Sequence, residues 1–146
     1  MQCHVCSFSN SGISFNHWEL GVNVNQHYLG RCVLRLKRHC PSLSQLTSEE
    51  WTEFEELVPK IETSLKKSFD CVLVNWSCSM NRGFKRKPYN PHVHWHIIPR
   101  YDKQVNFKRT FYKDSEFGSV ADFTKERLVD ENLRVEIEKI ISANLI

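Results

Sequence analysis

The chain has 146 residues, 40% of them hydrophobic and 25% charged, and a formal net charge of +3. These values exclude a fibrous or wholly disordered chain and a broad cationic surface for coating nucleic acid, and the length suits one domain that buries about two thirds of its unfolded surface. No apolar run approaches the roughly 18 residues of a membrane span, and Met1-Gln2-Cys3-His4 lacks the basic-then-apolar build of a secretory leader, so a cytoplasmic protein with reduced thiols is expected.

The first feature along the chain is Cys3-His4-Val5-Cys6. A Cys-x-x-Cys knuckle spaces two thiolates for one tetrahedral zinc and needs two more ligands from elsewhere; a redox dithiol and two uncommitted cysteines are the rival readings. Trp18 to Asn23 and Arg31 to Leu36 are β-prone and separated by Asn25-Gln26-His27 and Gly30, which predicts an antiparallel pair. Thr47-Ser48-Glu49-Glu50 carries the capping-box pattern, so a helix starts there. Its apolar residues Trp51, Phe54, Leu57, Val58, Ile61, Leu65 and Phe69 recur at three- and four-residue steps, while Pro59, lacking an amide donor, should bend or break it. Cys71 to Trp76 reads as a buried strand, and the basic loop Arg82, Lys85, Arg86, Lys87 follows, either facing a phosphate-rich ligand or solvated. His92 to Ile98 is the next strand, ended by Pro99, and Arg134 to Leu145 reads as a last helix. The fold class is α+β: an antiparallel meander sheet of about five strands, one long helix packed on it and a C-terminal helix. Cys32, Cys40, Cys71 and Cys78 fall in or beside strand-like segments and read as core thiols.

In His92-Val93-His94-Trp95-His96-Ile97-Ile98, strand alternation puts the three imidazoles on one face, roughly 7 Å apart at a rise of about 3.3 Å per residue. Two chemistries fit. A neutral imidazole can attack phosphorus while a second, protonated one assists the leaving group. Alternatively the three histidines bind a zinc with an open position for water. Three structural histidines alternating inside an apolar strand would be costly to satisfy.

The same residues, continued by Pro99-Arg100, resemble the His-φ-His-φ-His-φ-φ signature (φ apolar) of the histidine-triad (HIT) family, and Gly30-Arg31-Cys32-Val33-Leu34-Arg35-Leu36-Lys37-Arg38-His39 resembles that family's glycine, apolar strand and basic-basic-histidine segment. The similarity spans about Cys3 to Arg100 and is closest to the diadenosine-polyphosphate-hydrolase-like branch. It implies a single HIT-type domain with an N-terminal knuckle over 1–10, a core over 15–101 and a C-terminal extension with a helix over 102–146.

The resemblance further implies a hydrolase or nucleotidyl transferase acting on dinucleoside polyphosphates or nucleoside-monophosphate conjugates. His94 would attack phosphorus and form a nucleotidyl-histidine, His96 would contact the phosphate and leaving-group oxygen, and the His92 carbonyl would orient His94. Asn23, Asn75, Asn81 and Arg100 are the nucleotide-contact candidates. No catalytic cofactor is required. Structural zinc on Cys3, Cys6, His39 and His92 is implied, with His4 and His27 as substitute ligands, and so is a homodimer. Neither nucleic acid nor membrane is an expected partner. A binding module of low turnover that uses the basic loop with Trp76 or Trp95 as a stacking surface is the alternative from another class. Two departures bear on phosphate contacts: Arg31 stands where many members have histidine, and Pro88-Tyr89-Asn90-Pro91 replaces the frequent Gly-Gln-Ser/Thr-Val, with Asn81, Arg82 or Lys85 as substitutes.

Overall fold

Alternation along the strands builds the sheet. In the computed structural model, which describes residues 3–8 and 12–146, apolar side chains at every second position face one side; the Met1-Gln2 start lies outside the described residues. Strands β1 (Ile13–Ser14), β2 (Trp18–Val22) and β3 (Cys32–Leu36) run antiparallel in succession. The chain then leaves through helix α1 (Ser48–Phe69), returns at the far edge as β4 (Leu73–Ser77), and inserts β5 (His94–Arg100) between β4 and β3. The expected antiparallel five-strand α+β sheet is therefore present, with the order β1-β2-β3-β5-β4 in place of a plain meander.

Directly paired residues share a face. Trp18, Leu20, Val22, Cys32, Leu34, Leu36 and Ile97 face α1 and are buried. Glu19, Val33, Arg35, His94 and His96 fall on the other face through the pairs Glu19↔Arg35, Arg35↔His94 and Val33↔His96.

Three strand boundaries differ from expectation. The histidine strand starts at His94, because Val93 accepts from Leu36 N at 3.2 Å and donates to Cys40 O at 2.8 Å, so residues 37–39 loop out and His92 lies outside the ladder. Nor does Pro99 end it. Arg100 O accepts from Val72 N, so the missing Pro99 amide faces the β3 side, beyond the last β3 pair Cys32↔Ile97, where no partner is lost. The segment read as a buried strand over Cys71 to Trp76 forms β4 at a sheet edge, with Val72 and Leu73 exposed.

α1 has the expected capping box: Thr47 Oγ1 accepts from Glu50 N at 3.3 Å and Thr47 N donates to Glu50 Oε2 at 2.8 Å. Pro59 sits inside it without a break. Leu57, Ile61, Leu65 and Phe69 are buried on the sheet, whereas Trp51 stays exposed, edge-on to Phe54. Gly30 leads into β3 with φ +81°, and a Cβ there would come within 2.8 Å of Phe69, so the helix end packs on its bare Cα.

A hairpin, β6 (Val105–Phe107) and β7 (Thr110–Tyr112), turns through Lys108 and Arg109, both at positive φ. Helix α2 (Glu131–Ala143) starts three residues before the expected Arg134 because Asp130 accepts from Leu133 N at 2.8 Å and caps it. It packs on α1, where Ser64 Oγ donates to Ile141 O at 2.7 Å, and buries Ile137 and Ile141. Among the described residues no helix is long and apolar enough to cross a membrane.

Candidate active site and metal cluster

The polar face of the sheet floors a cavity of about 920 Å³. β5 supplies His94 and His96, β3 supplies Val33 and Arg35 with Arg31 just before it, and β2 supplies Glu19 and Gly21. The 79–90 loop brings Arg82, Lys85, Arg86 and Asn90 to the lining and the first turn of α2 brings Glu131 and Arg134, while Asn23, His92 and the N-terminal residues Cys3, His4 and Val5 also border the cavity.

His94 Nδ1 lies 2.7 Å from His92 O. A carbonyl only accepts, so Nδ1 carries the ring proton of the neutral imidazole and Nε2 carries the lone pair. The His96 ring stands edge-on to His94, with centroids 4.9 Å apart. Burial, then the neighbouring His94 and Arg31, pushes His96 down to about 4, so it is neutral at pH 7 in the unliganded chain. The protonated second imidazole expected from sequence thus has to gain its proton when an anion arrives beside it. Arg35, opposite His94 in the ladder, is neutralised by Glu19 at 2.8 Å.

His92 borders the same cavity, but its ring nitrogens are turned to other partners. Its Nε2 donates to Leu36 O at 2.7 Å, which leaves Nδ1 bare, 3.5 Å from Cys3 Sγ and 3.2 Å from Cys6 Sγ. Cys6 Sγ is also 3.6 Å from His39 Nδ1, and the donor atoms of Cys3, Cys6, His39 and His92 all lie within 4.8 Å of one another. A tetrahedron with Zn–S of about 2.3 Å and Zn–N of about 2.0 Å has S···N edges of roughly 3.5 Å, so the four donors fit such an ion. The loop 37–39 and a turn in which Ser7 N donates to Cys3 O at 3.0 Å bring the ligands together from distant segments. His27 is not in this cluster; it packs edge-on against Tyr28. With Nδ1 turned to the sulfurs and Nε2 occupied, His92 cannot join His94 and His96 on one metal, and among the described residues these three form no metal-binding group.

Of the four nucleotide-contact candidates, Asn23 lines the cavity, with Oδ1 accepting from Asn25 N at 2.9 Å. The other three do not line it. Asn81 is exposed in the loop, and Asn75 accepts from Arg100 Nη1 at 3.3 Å. Arg100 is buried and fully engaged: Nε and Nη2 donate to Asp114 at 2.6 and 3.1 Å, and Nη1 donates to Ser119 O at 2.8 Å. It ties the 114–119 segment to the sheet in place of a ligand. Trp76 and Trp95 lie on the opposite face, against Phe54 at 5.8 and 4.8 Å, and offer the cavity no stacking surface. Among the basic loop residues Arg82, Lys85 and Arg86 line the cavity, while Lys87 sits over the exposed Tyr89 ring at 5.7 Å. All six cysteines are free thiols; Cys32, Cys40 and Cys71 are buried and Cys78 half-buried, as core thiols should be.

Sequence reasoning passed over Arg35 and Asn90 as site residues. The Arg-Val-Arg alternation against Cys32, Leu34 and Leu36 carried the signal for Arg35; Asn90 depends on the path of its loop.

A family model described as HIT domain matches residues 16–103. The chain is 26% identical over 113 residues to Protein hit of Bacillus subtilis, covering 73% of this chain and 77% of that protein. A histidine triad nucleotide-binding protein from Sulfolobus tokodaii shares the fold at TM-score 0.71 and 15% identity, over 98% of this chain and 91% of that one. A Zn-bound histidine triad family protein from Mycobacterium smegmatis matches at TM-score 0.59 and 15% identity, over 98% and 90% of the respective chains.

Proposed function

The chain belongs to the HIT domain family, and from that premise we propose that it is a nucleotide hydrolase or nucleotidyl transferase acting through a covalent nucleotidyl-His94. The observation that carries this reading is the 2.7 Å contact between His94 Nδ1 and His92 O, which leaves Nε2 as the nucleophilic nitrogen of a residue lining the cavity. His94 Nε2 attacks phosphorus and the bond to the leaving group breaks, with His96 giving a proton to its oxygen or nitrogen; water or another acceptor, losing its proton to the now neutral His96, then displaces the nucleotide from His94 and regenerates the imidazole. The substrates are dinucleoside polyphosphates or nucleoside-monophosphate conjugates, as in the diadenosine-polyphosphate-hydrolase-like branch, and Asn23, which lines the cavity, would meet the nucleotide. The nucleotide-binding and Zn-bound descriptions of the two structural relatives are in keeping with this.

Cys3, Cys6, His39 and His92 would hold a structural zinc, which when bound closes the N-terminal segment on the sheet. His92 would then serve two purposes, its side chain as a ligand and its carbonyl as the orienting acceptor of His94. The knuckle, the core over 15–101 and the extension over 102–146 act as one domain, since the extension delivers Asp114 to Arg100 and α2 to the cavity. The active form is a cytoplasmic homodimer.

Turnover of diadenosine tetraphosphate and of adenosine 5′-phosphoramidate tests the reading. Wild type should cleave at least one, and His94→Ala, folded to the same thermal midpoint, neither. Undiminished cleavage by the variant would instead favour attack by a water that His94 does not replace.

A further inference from the structure

Arg31 is 9% exposed and lines the cavity with His94 and His96. The other buried arginines each meet a carboxylate: Arg35 meets Glu19 at 2.8 Å, Arg100 meets Asp114 at 2.6 Å and Arg134 meets Glu131 at 2.5 Å. Among the described residues Arg31 meets none, and its Nε has no hydrogen-bond partner. Its guanidinium is covered by the Phe123 ring, 5.3 Å from the ring centre. A guanidinium stays charged in a protein, and a buried charge without a counter-ion is costly, so this one calls for an anion that arrives with the ligand.

The register says where that anion lies. Arg31 stands one step past the Cys32↔Ile97 pair, on the same face as Val33 and His96, and so flanks His96 diagonally on the neighbouring strand. Diagonal positions are about 7–8 Å apart, a gap that an arginine side chain spans. Phosphorus bonded by His94 and served by His96 would lie beside both rings, and an adjoining phosphate on the side away from His94 would come within reach of Arg31. The planar fork of the guanidinium matches paired phosphate oxygens. An uncharged leaving group would leave it buried and unpaired.

We propose that Arg31 is a specificity-determining residue that binds the phosphate adjoining the one attacked, so that the site favours phosphoanhydride chains over nucleoside monophosphates joined to an uncharged leaving group. This rests on the nucleotidyl-transfer reading and names its substrate class.

The test compares wild type with Arg31→Gln and Arg31→Lys. In the first arm kcat/KM is measured for diadenosine tetraphosphate and adenosine 5′-phosphoramidate; in the second, inorganic tripolyphosphate is titrated by calorimetry; in the third, thermal midpoints are read without ligand. In Arg31→Gln the ratio of tetraphosphate to phosphoramidate kcat/KM should fall about 10–100-fold, tripolyphosphate should bind at least about tenfold more weakly, and the midpoint should hold or rise. Arg31→Lys keeps the charge without the fork and should restore part of the ratio. An unchanged ratio would overturn the proposal, whether both substrates keep their rates or lose them equally, and so would a lowered midpoint accompanied by equal losses. If wild type turned over neither substrate, the nucleotidyl-transfer reading would fail, and the tripolyphosphate titration would still decide whether Arg31 is a polyphosphate site.

Discussion

His96 lines the cavity edge-on to His94, and burial there holds its imidazole below the ordinary histidine range. Its position on the cavity face follows from alternation, but its protonation state depends on burial and on Arg31, which only the folded chain brings beside it. Because His96 titrates at about 4 in the fold against 6.5 in an open chain, the native state binds fewer protons than the unfolded state between those values. Stability from this source is therefore whole above pH 6.5 and lost as the pH falls toward 4. In thermal melts from pH 7.5 to 4.5, His96→Asn should lose less midpoint on acidification than wild type does; parallel curves would refute a depressed His96.

Arg100 is the converse case, a residue whose place in the motif suggested a ligand contact while its side chain is taken by Asp114 and Ser119. Nothing in the local pattern announced Asp114, which comes from 14 residues further along. Breaking a buried pair strands one charge, so Arg100→Ala should cost about 3–5 kcal/mol by denaturant unfolding. Arg100→Lys should recover little, since it cannot donate from two parallel nitrogens.

At the level of elements, strands β2 to β5 and both helices were legible because periodicity and caps are local properties, whereas β1, β6 and β7 were not read. The capping box at Thr47 and the alternation in β2, β3 and β5 each follow from a few adjacent residues. What stayed hidden depended on neighbours in space: Pro99 is tolerated because β3 has already ended, and the β6-β7 hairpin turns at Lys108-Arg109, which carries none of the Asn-Gly signal that marks such turns. Gly30 joins β3 to the end of α1, and Gly30→Ala should destabilise by about 2–4 kcal/mol, from positive φ and from contact with Phe69, again read by denaturant unfolding. The knuckle makes a separate prediction. Native mass spectrometry should find one zinc per chain, and Cys6→Ser should lose the metal and lower the thermal midpoint. Full metal retention by Cys6→Ser would exclude the four-ligand assignment.

For the whole molecule, the same sheet separates two tasks. One face is closed by α1 and carries the aromatic cluster around Phe54; the other stays polar and open, with loops and the C-terminal extension walling the cavity. The extension was the part least legible in the sequence, since its bonds join distant parts of the chain: Gln26 N donates to Arg127 O, and Arg100 donates to Asp114. It also sets Phe123 over Arg31. Association should show as a mass of two chains by light scattering, and a monomer at working concentrations would rule out the homodimer. Attack by His94 is tested by intact-protein mass spectrometry of wild type and His94→Ala, quenched within seconds of mixing with diadenosine tetraphosphate. A nucleotide-mass adduct is expected on wild type and none on the folded variant. An adduct of equal yield on His94→Ala, or turnover by wild type through which no adduct ever accumulates in single-turnover trapping, would contradict attack by His94.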